Sequence, residues 1–195
     1  MILIFGALGL GALYFFTQKN NSEGEATFVT KGILYGLKDI DPKDQGGGYK
    51  TEYDIYFESA RDEFGIPFAL LKAQALTESS LNKNAFLDEN PTNRADRQGW
   101  ASRGLMQILW WPGSERWAKY GYPDKDLGVD GVRMFEPSIN VRIAVQLIRD
   151  NLNSAKGNLR DTINMYNTGK TEAKFPAPNG YVDKVLKYYY KILGE

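Results

Sequence analysis

Glu78 closes the stretch Gly65-Ile66-Pro67-Phe68-Ala69-Leu70-Leu71-Lys72-Ala73-Gln74-Ala75-Leu76-Thr77-Glu78-Ser79-Ser80, and it is placed where a carboxyl can be tuned. Pro67 is suited to a helix start, and good helix formers without Gly or Pro follow it. Leu71, Gln74, Ala75 and Glu78 fall at i, i+3, i+4 and i+7, so a helix puts all four on one face. Desolvation disfavours the charged form of an acid on such a face, and the negative end of the helix dipole does the same. A carboxyl kept protonated near neutral pH can donate a proton to a leaving group. The other reading of Glu78 is an acid that faces water where its helix ends.

Composition narrows the chemistry further. Cys and His are both absent. That excludes Ser-His-Asp and Cys-His nucleophile chemistry, the usual zinc sites and any disulfide. Carboxylates, Tyr, Lys and Ser remain as working groups. The 24 basic and 24 acidic residues cancel, without a basic block, so nucleic acid is not expected as a partner. Aromatic residues make up 13% of the chain, which suits a groove that stacks on sugar rings as well as a packed core. The segment Asp124 to Gly131, DKDLGVDG, matches a calcium loop only in part. Counted from Asp124 the turn glycine is missing, and counted from Asp126 the closing acid position is Pro137. A solvated turn is expected there, with no metal and no cofactor.

The acid must be carried by a folded body, and the chain divides into three parts. Met1 to Phe16 reads MILIFGALGLGALYFF, uncharged throughout. A bilayer-spanning helix takes about 20 such residues, with roughly 17 as the lower limit. Residues 1–18 are expected to be a transmembrane anchor, with a cleaved signal peptide or a buried helix as alternatives. Against a signal peptide, no basic residue leads the stretch and no A-x-A-like site precedes Gln18. Residues 19–50 are polar and end in Asp44-Gln45-Gly46-Gly47-Gly48, which reads as a flexible tether with a short strand or turn around Phe28 to Tyr35.

Residues 51–195 are expected to fold as one mainly α domain. Tyr53, Tyr56, Phe57, Ala60 and Phe64 make a first helical stripe, and the Pro67 helix follows. A long loop is expected from Asn82 to Ser102 and a short helix from Ser114 through Tyr120. Glu136-Pro137-Ser138-Ile139-Asn140 opens another helix, with Ala144, Leu147, Ile148 and Leu152 on one face. Asn158 to Asn167 is the next, stopped by Gly169, and Tyr181, Val185, Tyr188 and Ile192 stripe the last. Strand signals are weak throughout.

Several separated pieces, in the same order, resemble the lysozyme-like lytic transglycosylases of the soluble type. Glu78-Ser79 resembles that family's Glu-Ser motif, and Gly104-Leu105-Met106-Gln107 its Gly-Leu-Met-Gln motif. Tyr166-Asn167-Thr168-Gly169 is similar to its Tyr-Asn-x-Gly, with Met165 where Ala is usual. Glu136-Pro137 with Asn140, and Tyr181-Val182 with Val185, match the openings of its last helices. The resemblance spans roughly residues 53 to 193. It departs at Ala177 and Pro178, where the family often has Glu-Thr, and in the long loop after Asn82.

The resemblance implies a lysozyme-like fold that cuts the β-1,4 bond between N-acetylmuramic acid and N-acetylglucosamine. Glu78 would be the catalytic acid and base, and Ser79 would orient the muramyl group. Gly104 would allow close approach of the glycan, Gln107 and Asn167 would bond acetamido groups or the Glu, and Tyr166 and Tyr181 would line the cleft and hold the acid. Met106 joins them as a substrate-side residue; Met106 and Tyr166 also read as core, and Gly104 as a plain turn. The expected partners are peptidoglycan glycan strands and, through residues 1–18, a lipid membrane. That membrane is expected to be the internal membrane of a bacteriophage virion or a bacterial inner membrane facing the periplasm. The competing functions are a lysozyme-type hydrolase on the same fold and a structural membrane protein that keeps a glycan-binding groove.

Overall fold

The computed structural model of the chain describes residues 36–44, 49–89, 95 and 98–195. The expected anchor at residues 1–18, and the turn or strand expected at residues 28–35, lie outside the described residues. Among the described residues, no helix is long and apolar enough to cross a membrane.

The fold is mainly helical, as expected. Its helices are α1 (Asp54–Phe64), α2 (Phe68–Ser79), α3 (Pro137–Ser154), α4 (Leu159–Thr168) and α5 (Tyr181–Ile192). At its centre lies α2, where every residue from Phe68 to Ala75 is buried. The spacing of Leu71, Gln74 and Ala75 predicts one apolar face; the helix is enclosed all round, with α1 and α5 packed against it. Even Lys72 is fully buried, and its ammonium meets Asp54 of α1 at 2.6 Å, the partner that a buried charge requires.

Residues near the chain entry belong to this body. Its own flanking residues give α2 no side-chain cap. The Ala69 amide donates instead to Asp39 Oδ1 at 3.1 Å, a carboxylate at the positive end of the helix dipole. Leu37 and Ile40 pack against the core, and the Tyr189 hydroxyl donates to the Lys38 carbonyl. Residues 37–40, read as tether from their polarity, are therefore structural. The same contact explains a shift on α5, where Tyr189 is buried in place of the expected Tyr188. Tyr188 packs edge-on against Tyr49 instead.

The stretch expected to be a loop contributes strands. β1 (Phe86–Asp88), β2 (Ala101–Arg103) and β3 (Ile108–Trp110) form an antiparallel sheet in that order. Phe86 pairs with Arg103, and Ala101 with Trp110. Strands of three residues are too short to show the alternation by which a strand is recognised. The short helix expected from Ser114 is a single 3-10 turn, Ala118–Tyr120. The sheet stands beside the end of α2, and the turn between β2 and β3 holds the Gly104–Gln107 motif.

Candidate active site

Glu78 lies in the last turn of α2 and borders a cleft of about 510 Å³. Glu89, Ser102, Gln107, Tyr166 and Asn167 are also on its walls. One carboxylate oxygen of Glu78, Oε1, accepts from Gln74 Nε2 at 3.1 Å and from the Tyr181 hydroxyl. Gln74 also donates to the Tyr181 hydroxyl oxygen, which closes a triangle across α2 and the first turn of α5. Oε2 has no protein partner among the described residues.

Burial pushes the Glu78 carboxyl up from an ordinary 4.5 to about 7. The bonds from Tyr181 and Gln74 oppose this, while the charge of Glu89 adds to it. Desolvation dominates here, so the acid is about half protonated near neutral pH. Since Oε1 already accepts two donors, Oε2 is the oxygen that can carry the proton. Burial and the charge of Glu78 hold the phenols of Tyr166 and Tyr181 well above their ordinary value, so both stay protonated donors. This arrangement can deliver a proton into the cleft and take one back.

The turn after β2 is fixed to its surroundings through main-chain atoms. Asn140, fully buried on α3, accepts from the Met106 amide at 2.7 Å and donates to the carbonyls of Arg103 and Met134 at 2.9 and 2.8 Å. The Tyr166 hydroxyl donates to the Met106 carbonyl at 2.7 Å. Four sequence readings change in this light. Ser79 does not line the cleft, because its hydroxyl donates to the Leu105 carbonyl at 2.8 Å. It ties α2 to the turn. The Met106 side chain is buried in the core, and its backbone, not its thioether, serves the site. The amide nitrogen of Gln107 is spent on the carbonyls of Ala85 and Gly104, which leaves its oxygen without a partner among the described residues. Gly104 faces protein where a glycan was expected.

Gly104 has φ +76°, and a Cβ there would stand 2.5 Å from the Met134 carbonyl oxygen and 2.6 Å from Asn140 Nδ2. Left-handed backbone and a clash with main chain act together, so Gly104→Ala should cost about 3 kcal/mol of stability in urea denaturation. A loss below about 0.5 kcal/mol would show that the turn relaxes freely.

A family model described as Transglycosylase SLT domain matches residues 55–181. The chain belongs to that family. The match runs from the second residue of α1 to Tyr181, so it takes in Glu78, the turn and the tyrosine that holds the acid. No solved structure matches the chain. SLT domains are peptidoglycan lytic transglycosylases with a lysozyme-like fold, and this chain is such an enzyme, acting on peptidoglycan glycan strands.

Two residues of this SLT domain's site escape a sequence reading of roles. Gln74 shares a helix face with Glu78, and the i, i+4 spacing of an amide and an acid was the available signal. Glu89 had none, since only the sheet brings it to the cleft, where Ser102 Oγ donates to it at 2.7 Å. The partial calcium pattern has a structural use: Asp124 accepts from Trp110 Nε1 at 2.7 Å and from the Gly113 amide at 2.9 Å.

Proposed function

We propose that this SLT domain cleaves the bond between N-acetylmuramic acid and N-acetylglucosamine with Glu78 as acid and then base, leaving 1,6-anhydromuramyl ends. The carrying observation is the state of Glu78. One oxygen is held twice, the other has no partner among the described residues, and the carboxyl is pushed up to about 7. Oε2 gives its proton to the bridging oxygen as the bond from that oxygen to muramyl C1 breaks. The muramyl C6 hydroxyl oxygen then bonds to C1, and its proton passes to Glu78, which returns the acid to its starting state. Tyr181 and Gln74 hold Oε1 through both steps, while the free amide oxygen of Gln107 and the exposed Asn167 meet acetamido groups.

The enzyme works from a membrane, anchored by residues 1–18 with their uncharged apolar run from Met1 to Phe16, and opens the wall locally during phage entry or for an envelope-spanning machine. The length and lack of charge of that segment support this reading. The full chain should partition into detergent with Met1 as its first residue; a mature N-terminus after Phe16 would identify a cleaved signal instead.

Glu89 favours one second reading, a hydrolase in which a second carboxylate activates water against C1. Mass spectrometry of digested peptidoglycan separates the two, with anhydro ends for the first and new reducing ends for the second. Glu89→Gln separates them again. Under the first reading it removes a charge that raises the Glu78 pKa, so the alkaline limb of the activity profile moves to lower pH at little cost in rate. Under the second it removes the base, and activity falls by about 10²-fold or more.

A further inference from the structure

Among its described lining residues, the Glu78 cleft carries one cation, Arg116. Its guanidinium lies over the Trp117 ring, 4.7 Å from the centroid. Arg61, Arg133, Arg142 and Arg160 each meet a carboxylate within 3 Å. Arg116 meets none among the described residues, although Glu78 and Glu89 border the same cleft. The groups that face it are the phenols of Tyr120 and Tyr166, and desolvation holds it below its ordinary pKa. A solvent-accessible guanidinium seated over an indole at the cleft wall, with no carboxylate partner among the described residues, is ready to receive a carboxylate in its fork of donors.

We propose that Arg116 pairs with a carboxylate on the muramyl substituent of the strand, and that this pair favours peptidoglycan over neutral N-acetylglucosamine polymers. The proposal rests on the substrate reading above and adds the residue that reads its charge. Every muramyl residue carries a lactyl ether that ends in a carboxylate, free on stripped strands and extended by a carboxylate-bearing peptide on intact ones. A polymer of N-acetylglucosamine has neither group. The charge of Glu89 repels an anion from its part of the cleft, and Arg116 attracts it to one place. The pair therefore sets which sugar of the alternating strand lies against Glu78, so it governs register as well as affinity.

The test is a binding measurement on the full chain carrying Glu78→Gln. Its ligands are intact strands and strands stripped of peptide, each before and after conversion of the carboxylates to amides. Carboxylate strands should bind about tenfold more tightly than amidated ones, the scale of one charge-assisted bond. Adding Arg116→Gln should erase that ratio, and Arg116→Lys should restore part of it, as a point charge without the fork. Whichever strand type loses its advantage identifies the lactyl or the peptide carboxylate. Equal binding of amidated and unmodified strands, or a ratio that survives Arg116→Gln, overturns the proposal. Equal binding of the two strand types by the Glu78→Gln protein overturns the proposal even if the Arg116 variants unfold. No cleavage enters this measurement, so an error in the role of Glu78 would show separately, as products released by the Glu78→Gln protein.

Discussion

Glu78→Gln should abolish release of soluble fragments from purified peptidoglycan while leaving fold and strand binding in place. General acid catalysis is commonly worth about 10²–10⁴ in rate, and an acid used in both half-reactions should cost at least that. Gln keeps the size of the side chain and an oxygen for Tyr181 and Gln74, but it cannot give or take the proton. The unaltered enzyme needs the protonated acid, so its activity should decline as pH rises through about 7. The same substitution has a signature in stability. Between 4.5 and about 7 the folded protein holds a proton that the unfolded chain has lost. The stability from that proton is complete below the lower value and is lost as pH rises through the upper one. The Gln variant should therefore match the parent in urea denaturation at pH 4 and exceed it at pH 8, by about 3 kcal/mol at most. Full activity in the variant would remove Glu78 from the mechanism.

Asn140→Ala should be the most destabilising single change at the cleft. It leaves the Met106 amide and the carbonyls of Arg103 and Met134 inside the protein without their partner. Each stranded group costs about 1–3 kcal/mol, so a loss of about 4 kcal/mol in the urea midpoint analysis is expected. Activity should fall with it, because the freed turn no longer holds the Met106 carbonyl under Tyr166. Asn140→Asp keeps an acceptor for the Met106 amide but turns a charge toward two carbonyl oxygens, and it should do little better. A cost under about 1 kcal/mol for the Ala variant would mean that the turn is held elsewhere.

The helices and the acid were legible because both are local. Glu78 stood out through its spacing from Leu71 and Ala75, and α4 through Asn158 and Gly169 at its ends. Enclosure of α2 was hidden, since Lys72 and Gln74 interrupt its apolar run. Their partners, Asp54 and Tyr181, stand 18 and 107 residues away. The Gly-Leu-Met-Gln motif marked where the chain is constrained without saying by what. The constraint on Gly104 is set by Asn140 and Met134, which only the packing of α3 brings near. Glu89 and the sheet were illegible for the same reason, because three-residue strands are recognised by their neighbours and not by their own sequence.

The bonds that reach the turn from Ser79, Asn140, Tyr166 and Gln107 all end on main-chain atoms, in residues 85 and 103–107 or in the adjoining Met134. Every residue type except proline supplies those atoms, so the attachment does not depend on which side chains occupy the turn. Leu105 can change to another residue of its volume without a bond being lost, provided Gly104 and Asn140 stay. The acid's surroundings are thereby uncoupled from sequence drift in the segment that braces them. For an engineer this separates two tasks: the side chain at position 105 can be exchanged at constant volume, while the proton chemistry is kept by retaining Gln74, Tyr181 and the charge of Glu89 around the acid.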